Sequence, residues 1–204
     1  MELKARQLEI LEAAGAILNE EGIGGLTTKS IAKRVGFVES ALYRHYKSKE
    51  DIIAGLLEFL RSKMEARLMP IAFSTDVPPE ERLRLLFGAQ IGLLVKNPHF
   101  LTAVFSDGLL KYSPGIRVGI QQLIAAMHKA LTLIVKDGQK NDAFTEGVPA
   151  AEMAHILTGS LRFLMLRWHS SDFSFDVAAD GKQLVEHLLF LISKNRKPIA
   201  TTSM

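Results

Sequence analysis

Cysteine is absent from the 204 residues, which excludes disulfides, thiolate metal ligands and cysteine nucleophiles and fits a reducing compartment. Long apolar runs are lacking too. The greasiest stretch, Leu85 to Val95, is too short for a bilayer, which needs about 20 apolar residues. Glu2, Lys4, Arg6, Glu9 and Glu12 leave no uncharged secretory core near the start. The chain is therefore expected to be soluble and cytoplasmic, with no membrane partner. Six histidines lie scattered at 45, 99, 128, 155, 169 and 187, without a His-Glu-x-x-His pair or an i, i+4 pair, so no metal site is expected. No phosphate-binding glycine loop occurs, and Gly159-Ser160 lacks the spacing around a nucleophile elbow. An enzyme would need convergent titratable groups, and none stands at a suitable spacing; neither catalysis nor a cofactor is expected.

What remains is abundant apolar residue, 48% of the chain against 23% charged, enough to bury a proper core. Net charge is only +3, but its distribution is uneven. Between Thr27 and Lys49 lie Lys29, Lys33, Arg34, Arg44, Lys47 and Lys49, opposed only by Glu39. Such a segment suits a phosphate-binding surface, and equally a solvated helix face; charge alone does not choose.

Nearly every segment has helical period and none alternates clearly as a strand. Ile10, Ala13, Ala14, Ile17 and Leu18 form the stripe of a first helix, expected to stop at Gly22. Thr27 caps a second helix that turns Ile31, Ala32 and Val35 inward and ends at Gly36. A third runs from Glu39 to about Tyr46. Ser48 and Asp51 open a capping box for a fourth, which keeps Ile52, Ile53, Leu56, Leu57, Leu60, Met64 and Leu68 on one side and halts before Pro70. Residues 70–79 read as a connection. Helices of about 80–96, 98–111, 114–137, 149–169 and 176–194 follow, three of them opening on prolines that a first turn tolerates. The fold class is all-α.

The second and third helices, joined through Gly36 and packed by Ala32, Val35, Phe37, Ala41 and Leu42, have a helix-turn-helix layout. A major groove about 12 Å wide admits one such helix.

The run Leu26-Thr27-Thr28-Lys29-Ser30-Ile31-Ala32-Lys33-Arg34-Val35-Gly36, with Ala41-Leu42-Tyr43-Arg44-His45-Tyr46-Lys47-Ser48-Lys49-Glu50-Asp51-Ile52-Ile53, strongly resembles the TetR family of transcriptional regulators. The resemblance covers roughly residues 5–60; beyond them only helix number and length are similar. It implies a DNA-binding head over 1–47, with the motif at 27–46 and a joining helix at 48–69. An effector-binding and dimerisation domain over 70–196 and a tail without fixed structure over 197–204 complete the expected organisation. By matching position, Thr28 and Lys29 would touch phosphates, and Glu39, Ser40, Ala41 and Arg44 would face the groove. Tyr43 and His45 would contact backbone or base methyls, and Lys49 would grip phosphate at a helix N-terminus. Tyr46, one turn from Leu42, reads as core. Two positions depart from the family pattern. Val38 replaces the capping Ser or Thr of many members, so the third helix begins less firmly. Glu39 turns an acid toward DNA, where a cytosine amino group is its natural partner and phosphate is repelled.

In the body, Phe87, Gln90, Phe105, Met127 and His128 are candidates for an effector pocket, with Gln90 and His128 as polar anchors; each also reads as ordinary core. Sparse polar residues there favour a small apolar or aromatic effector. Ile156, Leu161, Leu164, Leu184, Leu188 and Ile192 form stripes on the last two helices, which the family pairs into a four-helix bundle between two copies. The expected function is that of a homodimeric repressor, released from a palindromic double-stranded operator by the effector. The same fold also serves DNA binding for architecture or cell-cycle control without any small effector.

Overall fold

The computed structural model describes residues 5–98, 101 and 114–195. Among them eight helices succeed one another: α1 (Ala5–Gly25), α2 (Thr28–Val35), α3 (Glu39–Leu42), α4 (Lys49–Phe73), α5 (Pro79–Lys96), α6 (Pro114–Lys140), α7 (Ala150–Ser170) and α8 (Val177–Ile192). The described residues hold no strand, only an isolated antiparallel bridge between Phe144 and Ser193. The helix expected over 98–111 lies almost wholly outside the described residues, as does Phe105, and so does the tail.

Three boundaries differ from those the sequence suggests, each for a local reason. Gly22 does break the first helix, with φ 69, but the chain resumes helical geometry to Gly25 across that kink. α3 is regular only to Leu42; beyond it Arg44 bonds Ala41, and His45 and Tyr46 both bond the Leu42 carbonyl, a run of tightening turns. α4 passes through Pro70 and ends at Phe73. Proline there removes only the bond to the Ala66 carbonyl, and Ala66 is exposed to water, so the last turn survives.

The chain divides into two compact units, Met1–Met64 with Asn97–Ile124, and Glu65–Lys96 with Ala125–Met204. The division falls inside α4 and α6, not in the 70–79 connection. The reason is visible in the first unit, where Ile116 and Ile120 of α6 bury among Ile10, Leu11, Ile17, Leu42, Ile52 and Leu56. In the second unit α8 packs on α5 and on α7. Gly181 allows that approach, because a Cβ there would lie 2.2 Å from the Ile91 Cδ1. α6 is long and apolar enough to cross a membrane, more so than the 85–95 stretch. Yet Ile116, Ile120, Ala130, Leu131, Ile134 and Val135 along it are buried in the protein, as in the core helix of a globular fold.

Candidate nucleic-acid interface

The head is built from α2 outward. Thr27 is extended, its Oγ1 accepts the Ser30 N–H, and Ser30 Oγ accepts the Thr27 N–H, a reciprocal cap that fixes where α2 begins. α2 ends at Gly36, whose φ of 74 is the left-handed geometry glycine adopts without strain. The Phe37 N–H then bonds the Ala32 carbonyl at 2.8 Å, closing the turn. Leu42, fully buried, and Ala32 pin α3 to α2, with Val35 and Phe37 packed against the same core. Tyr46 also packs there, as its spacing suggests, and burial pushes its hydroxyl pKa up.

Pinning one side of α3 presents the other. Glu39, Ser40, Tyr43 and Arg44 are exposed, and Ala41 and His45 half-exposed; Lys29 of α2 is exposed and Thr28 half-exposed. Lys49 opens α4 behind Ser48, whose Oγ accepts the Asp51 N–H at 3.1 Å. All nine expected DNA-contacting residues thus belong to one compact unit, and those expected to face the groove lie on α3 and in the turns after it. Val38 stands at the α3 N-cap without any side-chain bond, as the sequence suggests.

Two details were not legible beforehand. The Thr28 hydroxyl donates to the Glu39 carboxylate, so α2 orients the acid that opens α3, and the hydroxyl proton is already engaged within the protein. Arg34 donates from one guanidinium nitrogen, Nη2, to both carboxylate oxygens of Glu20 of α1 at 2.7 Å, which pairs one cation of the basic segment within the protein. No signal in local spacing marks either pair, because each joins residues 11 or 14 apart.

The body residues fare differently. Phe87 and Met127 are buried. Gln90 accepts a bond from Arg67 at 3.1 Å. His128 Nε2 meets the Ala151 carbonyl at 3.1 Å, and its ring stacks obliquely on His155 with centroids 4.2 Å apart. Both intended polar anchors therefore have protein partners. Among the intended interface residues, Leu161, Leu164, Leu188 and Ile192 are buried within a single chain. Leu184 is half-buried, and Ile156 is exposed. Of that expected set, Ile156 lies on the exposed side of α7, where Phe163 joins it, with Leu191 exposed on α8. A shallow groove lined by Ser160, Phe163, Arg167, Gln183, Leu184 and His187 runs along it. The helices have two apolar stripes, and spacing does not say which faces inward.

Comparison with known proteins agrees with this geometry. Residues 10–56 match the family described as bacterial regulatory proteins, tetR family. Over 175 residues the chain is 30% identical to the nucleoid occlusion factor SlmA of Vibrio cholerae serotype O1, covering 83% of this chain and 87% of that protein. A TetR transcription regulator from Haloarcula marismortui superposes with a TM-score of 0.81 at 22% identity, over 93% of this chain and 98% of that one. The regulator FadR from Bacillus subtilis, in complex with stearoyl-CoA, superposes with a TM-score of 0.76 at 21% identity, over 89% and 97%. With a capped two-helix motif that presents a polar and basic face, and with relatives that extend along most of its length, the chain belongs to the tetR family of bacterial regulatory proteins and is a DNA-binding transcriptional regulator.

Proposed function

We propose that the protein acts as a homodimeric repressor on a palindromic operator and is released by a small, mainly apolar effector. The observation that carries the reading is the α3 face, where groove-sized polar side chains stand exposed beside Lys29 and Lys49 on a scaffold locked by Leu42 and Gly36. Two such faces, held by a dimer through α7 and α8, would meet successive major grooves about 34–36 Å apart. FadR, of the same fold, was crystallised with stearoyl-CoA, whose long acyl chain suits the sparse polarity of this body. Release then requires an effector that binds more tightly to a dimer whose head spacing misfits the operator. Such regulation takes place in the cytoplasm.

A second reading has its own support. The SlmA proteins similar to this chain over most of its length are named nucleoid occlusion factors, and both expected effector anchors, Gln90 and His128, already bond within the protein. In that reading the chain binds many dispersed chromosomal sites and responds to no small effector. Genome-wide selection of binding sites with purified protein separates the two. A repressor selects one or a few palindromes at promoters, and an apolar ligand screen finds a compound that weakens binding. Numerous dispersed sites, with binding indifferent to every such ligand, overturn the repressor reading.

A further inference from the structure

Val38 is 72% exposed, more than any other large apolar side chain among the described residues. It occupies the N-cap of α3 in extended geometry and makes no side-chain cap bond. At that position Ser, Thr, Asp or Asn would stabilise the helix by accepting a bond from its first turn, and a branched apolar group gains nothing from water. Local folding therefore gives no reason for valine here.

Its surroundings say what it can meet. Glu39 and Ser40 after it are exposed polar side chains, and Phe37 before it is partly buried against the core, so its two methyls form no patch broad enough to hold a protein partner. Glu39 is tied down by the Thr28 hydroxyl, which places a fixed negative charge next to Val38. Phosphate is repelled there, while Lys29, Arg44 and Lys49 elsewhere on the same unit attract it. The Val38 side chain has no donor to offer phosphate in any case. In the major groove one base group matches an isolated methyl pair, the C5-methyl of thymine.

We propose that Val38 is a specificity-determining residue that reads a thymine methyl in each half-site, next to the base addressed by Glu39. The inference rests on the family's DNA binding and not on the effector reading. Burying one methyl is worth about 0.8 kcal/mol, or about fourfold in affinity per half-site.

The probe is a duplex carrying the site that the wild-type protein selects from a randomised library. Deoxyuridine, which lacks only the methyl, then replaces each thymine in turn. Wild type is expected to lose about fourfold per half-site at one thymine, and Val38→Ala to lose nothing further at that position while keeping its response at all others. Val38→Ser, which restores a capping hydroxyl, should melt no lower than wild type yet show the same indifference, so that loss of preference is not loss of fold. The proposal is overturned if the selected site holds no thymine whose methyl matters. It is equally overturned if the sensitive thymine stays sensitive in Val38→Ala, which assigns it to Tyr43, or if both variants change affinity alike for every duplex. A wild-type protein that selects no site contradicts the DNA-binding reading itself and is a separate result.

Discussion

Arg82, 2% exposed, donates one arm of its guanidinium to the carboxylate of Asp137 on α6 and the other to the Ala72 carbonyl at 3.1 Å. One side chain thus ties α5 to α6 and to the last turn of α4 inside the second unit. A buried cation is tolerated only while its partner remains, because the uncompensated charge costs more than the pair contributes.

Removing the anion should therefore hurt more than removing the cation. Asp137→Ala is expected to cost about 2–4 kcal/mol, at the lower end because Asp137 is partly exposed. Arg82→Met, which leaves a partly solvated carboxylate and an apolar filler, should cost less. Urea unfolding of both variants measures this. A midpoint for Asp137→Ala at or above that of Arg82→Met contradicts the argument.

A second ion pair in the same unit sets a modest pH dependence. Arg84 holds the Glu186 carboxylate between α5 and α8, at 2.6 and 2.9 Å, and this bond lowers the Glu186 pKa below its ordinary value of 4.5. A carboxylate depressed in the folded state adds stability above its unfolded pKa and loses it as pH falls through the folded one. Both side chains are about four-tenths exposed, so the contribution is at most about 1 kcal/mol and shrinks in salt. Glu186→Gln should melt slightly below wild type at neutral pH, and the gap should close well below pH 4.5. Melting curves whose separation is independent of pH would show that the pair contributes nothing as an ion pair.

How far the sequence reaches depends on the range of the interaction. The cap at Thr27, the turn at Gly36 and the inward set Ile31, Ala32 and Leu42 follow from rules spanning a few residues, and they appear where spacing places them. The Thr28–Glu39 and Arg34–Glu20 bonds join separate helices, so no periodicity announces them. The same limit explains the last two helices. Leu161 and Leu188 share apolar stripes that face inward in the structure, but a helix with apolar residues on two sides fits either orientation until its neighbours are known.

In the head, position leads us to expect two kinds of DNA contact. Lys49 opens α4, where a compact charge beside a helix N-terminus suits phosphate. Arg44 is exposed just after α3, where its fork suits guanine O6 and N7. Lys49→Ala should weaken binding to all sequences alike and reduce the salt slope by about one. Arg44→Ala should cost about 1–3 kcal/mol on the selected site and relax preference at one position per half-site. Titrations of both variants at several salt concentrations, on a panel of single-base substitutions, test the assignment; the opposite pattern would exchange the two roles.

The final prediction concerns association. Phe163 and Leu191 are 62% and 59% exposed, and with Ile156 they extend a face that also includes half-buried Leu184 and the groove residues Ser160, Arg167 and His187. On α7 the positions 156, 160, 163 and 167 repeat at three and four residues, and on α8 so do 184, 187 and 191, one stripe per helix. Two such stripes from each of two copies would make a four-helix interface related by a twofold axis. Leu161 and Leu188 lie behind this face, buried within one chain. Asp at the two sets should then fail differently. Phe163→Asp or Leu191→Asp buries a charge only on association, and is expected to give a folded monomer that binds a half-site weakly. Leu161→Asp or Leu188→Asp places the charge in the core of the single chain and should unfold it. Sedimentation beside circular dichroism distinguishes them. If Phe163→Asp and Leu191→Asp both sediment as wild-type dimers, this face is not the interface, whatever happens to the core variants.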